Sequence, residues 1–76
     1  MKEISNRVCL TEFGTWIESA RKRKCLSQIE VASAAGLSQS QYCRIESAKR
    51  EVDLCTAMRV CQVLELDLSD FIKKYM

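Results

Sequence analysis

Leu26-Ser27-Gln28-Ile29-Glu30-Val31-Ala32-Ser33-Ala34-Ala35-Gly36-Leu37-Ser38-Gln39-Ser40-Gln41-Tyr42-Cys43-Arg44-Ile45-Glu46 is the stretch that decides the fold of this chain. Two short helical patterns meet at Gly36, and each opens with its own capping box. In the first box Ser27 precedes Glu30, so a hydroxyl can accept from a backbone N–H while the carboxylate three residues on reaches back to the cap. Ser38 and Gln41 repeat the arrangement. Gly36 falls in the corner, where a residue without a Cβ takes a left-handed backbone cheaply, and Ala32 is the small residue that lets the two helices cross closely. The pattern predicts helices over about 28–35 and 39–47, with Val31, Ala32, Leu37, Tyr42 and Ile45 facing inward.

Working outward, Thr11 can cap a first helix whose Phe13, Ile17 and Ala20, with Trp16 beside them, recur at helical spacing to about Lys24. Residues 1–10 show no clean period and read as an arm or irregular lead-in. Beyond the central stretch, Asp53 can cap a fourth helix carrying Leu54, Ala57, Val60, Cys61 and Leu64, and Asp67 a fifth carrying Leu68, Phe71, Ile72 and Tyr75. Every connection is short and no linker, repeat or low-complexity stretch intervenes. The expectation is an all-α, five-helix domain over residues 11–76.

Seventy-six residues hold one modest core and leave no room for a separate sensor or catalytic domain. No run is long and apolar enough for a membrane span or signal peptide, which points to the cytoplasm. The five cysteines are odd in number, and no pair is spaced Cys-x-x-Cys. With no His in the chain, they read as reduced thiols and not as a disulfide framework or metal site. No metal or cofactor is expected. An enzyme is disfavoured too, because there is no His, no Gly-rich phosphate loop and no converging carboxylate pair.

Charge is unevenly spread. Residues 21–50 carry seven basic and two acidic side chains, a balance of +5, whereas the remainder carries five basic and eight acidic, a balance of −3. One portion of the molecule is therefore suited to a polyanion. Two helices crossing through a tight Gly corner inside that portion form a helix-turn-helix, which places its second helix for the major groove of double-stranded DNA.

From about Phe13 to Ile72 the chain resembles the Cro/repressor-type (XRE) helix-turn-helix family, which includes phage repressors, restriction-modification controllers and many antitoxins. Gln28, Ala32, Gly36, Ser38, Ile45 and Glu46 stand in register, followed by Lys49-Arg50. The resemblance implies a five-helix repressor-like domain with the helix-turn-helix in helices 2 and 3. By the same resemblance Gln39, Ser40 and Arg44 are the base-reading set. Gln28, Gln41, Cys43, Lys49 and Arg50 contact the phosphate backbone or line the groove wall. Arg21 and Glu46 form a structural pair tying helix 1 to the end of helix 3. Tyr42 stands where the family usually has an aliphatic core residue, so its ring is expected inward with the hydroxyl on a partner or solvent at the edge. Cys25 and Ala48 stand where the family often has Gly, and Val52 where it often has Pro.

One helix in one groove reads few bases, so a homodimer is expected. Its surface lies around Leu66, Leu68, Phe71, Ile72, Tyr75 and Met76, more apolar side chains than one short helix needs for its own packing. The alternative reading is a protein-binding module, an antitoxin or coactivator-like domain.

Overall fold

The computed structural model describes residues 5–75, apart from the side chain of Tyr75. In chain order the helices are α1 (Asn6–Arg23), α2 (Gln28–Ala34), α3 (Gln39–Glu46), α4 (Leu54–Leu64) and α5 (Leu68–Ile72), followed by a 3-10 turn over Lys73–Tyr75. The two capping boxes form as the sequence dictates: Ser27 and Ser38 accept from the backbones of Glu30 and Gln41, and both side chains return the bond. Backbone N–H groups that the helices themselves cannot satisfy thus find local partners. This gives α2 and α3 their sharp beginnings, although each is too short to be stable alone.

The start of α1 differs from expectation. Its cap is Ser5, not Thr11; the Ser5 hydroxyl accepts from the Val8 N–H at 3.1 Å. The second half of the stretch expected to be irregular, residues 6–10, is thus the first turn and a half of α1, with Cys9 and Leu10 half-buried. The periodic signal is weak there because residues 6–8 are all exposed. Residues 1–4 of the expected arm lie outside the described residues.

Four helices end alike. The residue after the cap, or the cap itself in α4, is left-handed at Cys25 (φ 57°), Gly36 (φ 74°), Ala48 (φ 61°) or Glu65 (φ 58°). In α1, α2 and α4 the next residue is a leucine whose N–H bonds back five residues: Leu26 to Arg21, Leu37 to Ala32 and Leu66 to Cys61. This is the Schellman turn, in which an apolar residue just beyond the left-handed one staples the helix end to the core. All three leucines are half-buried against the core. Only one of the four turns has the glycine that relieves left-handed strain.

Tyr42, Ile17, Ile45, Leu64, Val31 and Val60 are the largest fully buried side chains, and they come from α1, α2, α3 and α4. The five aliphatic ones each contribute about 1.5–3 kcal/mol of burial. The backbones of α1 and α3 come into close approach at Gly14. A Cβ there would lie 2.8 Å from the Ile45 carbonyl oxygen and closer still to that of Glu46.

Phe71, expected on a dimer surface, belongs to the core. It is 5% exposed, edge-on to Phe13 at 5.5 Å and stacked on Trp16 at 5.3 Å, so α5 spends its largest side chain fastening itself to α1. Leu66 and Leu68 pack partly on the core, Ile72 is 48% exposed, and Tyr75's side chain and Met76 lie outside the described residues. Leu54, expected to face inward from α4, is 65% exposed because it is the first helical residue and sits at the open end.

Candidate nucleic-acid interface

Tyr42, Ile45 and Glu46 are the buried residues of α3, so its opposite side is solvent-facing by geometry. Gln39, Ser40, Gln41, Cys43 and Arg44 are all exposed. The helix is held from below by an ion pair taken out of water. Arg21 Nε donates to Glu46 Oε2 at 2.6 Å and Nη2 to Oε1 at 3.2 Å, with the two side chains 11% and 3% exposed. Arg21 Nη1 also donates to the Leu26 carbonyl at 2.9 Å, and Gln28 Nε2 to Glu46 Oε1 at 3.0 Å. The carboxylate therefore gathers α1 and the first residue of α2 onto the last turn of α3, and Arg21 ties in the loop before α2. Burial pushes the Glu46 carboxyl up, but the hydrogen bonds from Arg21 and Gln28, with Tyr42 alongside, outweigh it and hold the group below its ordinary value. The same carboxylate raises Arg21.

The Tyr42 hydroxyl does not reach solvent or a partner at the edge of the core as the sequence suggested. The residue is fully buried, and its oxygen lies beside this ion pair with no partner at hydrogen-bonding geometry among the described residues. Burial and the neighbouring Glu46 charge raise its pKa.

The hydrogen bonds separate the three glutamines. Gln41 holds its carbonyl oxygen against the Ser38 N–H at 2.9 Å, which fixes the amide at the cap and leaves one lone pair and its NH2 donors for a ligand. Gln28 spends one N–H on Glu46. Gln39 has neither amide atom engaged among the hydrogen bonds of the described residues, so it retains the paired donor and acceptor that bidentate reading of adenine requires. Arg44, in line with Ser40 on the side of α3 opposite its buried residues, likewise has no ion pair among the described residues, and its fork of donors suits guanine.

The basic run at the end of α1 contributes less than its sequence suggests. Arg21 is inside the ion pair, Lys22 lies 3.6 Å from Glu18, and Lys24 pairs with Glu65. These pairings are set by tertiary contact and by helix register, and they shift the weight of positive charge toward α3 and the loop behind it. There Lys49 and Arg50 are exposed. Lys49 occupies the position that holds a leucine after α1, α2 and α4, with its N–H bonded back to the Arg44 carbonyl at 2.8 Å. Among these four helix ends, the end of α3 alone lacks an apolar staple, and a cation stands in its place. That exchange is a signal local sequence reading passes over, legible once the four helix ends are aligned.

Among the described residues no group of His, Cys, Asp or Glu could hold a metal ion, and no helix is long and apolar enough to cross a membrane. Residues 17–71 match the helix-turn-helix family, and the chain belongs to it, as a DNA-binding protein of the Cro/repressor (XRE) type. No curated protein matches the chain.

Proposed function

We propose that this helix-turn-helix protein is a sequence-specific transcriptional regulator that reads bases from the major groove with α3. Gln39, Ser40 and Arg44 are its base-contacting residues, and Gln28, Gln41, Lys49 and Arg50 its backbone contacts. The observation that carries this reading is the division of labour on α3: its inner side is locked by a buried ion pair, while its outer side keeps unspent donors and acceptors. A reading element needs both properties, because base discrimination depends on side chains held in register by a rigid scaffold.

The protein acts as a homodimer in this account, because one module reads too few base pairs for useful discrimination. Leu54, Leu68 and Ile72 border an open apolar groove between α1, α4 and α5, and with Leu66 they are the surface offered for pairing. Selection of bound duplexes from a random pool tests the whole reading. The expected product is a near-palindrome with half-site centres about 34 Å, one helical turn, apart. A lone asymmetric half-site bound by a monomer would remove the dimer, and no selected sequence at all would favour a protein-binding module instead.

A further inference from the structure

Resting on the proposal that Gln28 contacts a DNA phosphate, we infer that Tyr42 is a positioning residue for that contact: its hydroxyl takes over the place on the Glu46 carboxylate that the Gln28 amide leaves when it turns to the DNA.

Tyr42 is 0% exposed, and its hydroxyl is the one buried side-chain polar atom among the described residues without a hydrogen-bond partner. Burying a hydroxyl unpaired disfavours the folded state by a factor of about ten, and a phenylalanine would fill the same space without that penalty. The hydroxyl therefore calls for a use outside the free protein.

Its surroundings point to one. Tyr42 and Glu46 stand four apart on the inner side of α3, and helical side chains lean toward the N-terminus, which brings the carboxylate back toward the Tyr42 ring and sets the hydroxyl beside the ion pair. Glu46 Oε2 accepts from Arg21 Nε at 2.6 Å, whereas Oε1 is shared between Arg21 Nη2 at 3.2 Å and Gln28 Nε2 at 3.0 Å. Both lone pairs of Oε1 are thus taken. Arg21 is fixed, because it is 11% exposed and also donates to the Leu26 carbonyl. Gln28 is the donor free to exchange: it is half-buried at the edge of the cluster, and its amide makes no other hydrogen bond among the described residues. Moving that amide to a phosphate strips a charge-assisted donor from a carboxylate whose side chain is 3% exposed, where water does not replace it. The Tyr42 hydroxyl replaces it by turning about its own C–O bond, with the ring left in the core. The hydroxyl is unpaired in the free protein and paired in the complex, so the release of Gln28 leaves no buried acceptor behind.

A double-mutant cycle on binding tests this, with Tyr42→Phe, Gln28→Ala and the double variant measured on selected and random duplexes, and with thermal unfolding of each free protein. Tyr42→Phe should have a Tm equal to or above that of the wild type, because it removes only an unpartnered hydroxyl. It should nevertheless weaken binding about tenfold on both duplexes alike, since a phosphate contact carries no sequence information. In the Gln28→Ala background the same substitution should leave binding unchanged. The inference fails if Tyr42→Phe binds as the wild type does, which would mean that Gln28 keeps its bond to Glu46 and meets the phosphate with its second N–H. It fails equally if the loss persists without Gln28, or comes with a lowered Tm, either of which makes the hydroxyl an ordinary part of the scaffold. A Gln28→Ala protein that binds both duplexes as tightly as the wild type would instead overturn the Gln28 phosphate contact itself, and the inference with it.

Discussion

Replacing Gly14 with alanine sets two opposed effects against each other, and the structure predicts which one wins. In the middle of a helix, Gly→Ala is normally stabilising by about 0.5–1 kcal/mol, because the unfolded chain loses freedom and the helix gains a better former. Here the new Cβ meets the backbone of α3: the Ile45 carbonyl oxygen would lie 2.8 Å away and that of Glu46 closer. Ordinary carbon–oxygen contacts begin near about 3.3 Å, so α1 and α3 must separate by about half an ångström or more. Neither helix is free to do so, since Ile17 and Ile45 are 0% and 2% exposed and the displaced carbonyl belongs to the residue paired with Arg21. Overpacking of this kind costs about 1–3 kcal/mol, and stretching a buried ion pair adds to it. The net expectation is destabilisation by about 1–3 kcal/mol, seen as a Tm lowered by about 4–8 °C for each kcal/mol in a domain of this size. Thermal and urea unfolding followed by circular dichroism reads it directly. Thr15→Ala, on the exposed side of the same helix, is the control and should change stability by a few tenths of a kcal/mol, about the propensity difference alone. A Gly14→Ala protein as stable as the wild type, or more so, would refute the claim that close backbone contact fixes α1 on α3.

Further expectations come from the ion pair, the helix ends and the basic loop. Arg21→Met or Glu46→Gln alone should cost about 1–4 kcal/mol, and the double variant less than the sum; strict additivity in the cycle would mean that the 2.6 Å contact carries no coupling. Because the folded protein holds Glu46 below its ordinary value of 4.5, its contribution is present above that pH and lost as pH falls through the lower folded value. The stability gap between wild type and Glu46→Gln should therefore close as pH drops below 4.5, and a gap independent of pH would count against the assignment. Cys25→Gly relieves a left-handed backbone at an exposed residue and should stabilise by about 0.5–1 kcal/mol, whereas Cys55→Gly, exposed within α4, should destabilise by a similar amount; unfolding curves of the two variants read the difference in sign. Lys49→Ala and Arg50→Ala should weaken binding to every duplex alike, and a salt titration should show the log–log slope flattened by about one unit for each phosphate that is no longer neutralised.

Local chemistry made the centre of this fold legible. The boxes at Ser27 and Ser38 place the starts of α2 and α3, Gly36 the corner and the apolar spacing the buried side of each helix, because all of these act within one or two turns of chain. What the sequence hides is set by contacts between distant residues. Gly14 looks like an ordinary weak point of a helix until the carbonyls of α3 are seen against it. Phe71 looks surplus to a five-residue helix until Phe13 and Trp16 close on it from α1. Arg21 is expected in its pair with Glu46, but Lys24 is also paired, with Glu65 from the end of α4, which no reading of local charge reveals. The start of α1 is hidden for the opposite reason: its first turn is solvent-facing, and a cap without an apolar stripe behind it leaves little periodic trace. The candidate interface stands between these cases. Its residue types are readable from their spacing on α3, whereas the sorting of Gln28, Gln39 and Gln41 by what each still has to donate or accept depends on the folded hydrogen bonds.

The central claim is that α3 reads bases, and the ratio of affinities for the selected site and for random duplex tests it most directly in Gln39→Ala and Arg44→Ala. Each variant should lose about 1–3 kcal/mol on the selected site and far less on random DNA, so that the ratio falls by roughly tenfold or more. A ratio unchanged from the wild type in both would mean that another surface carries whatever specificity the protein has.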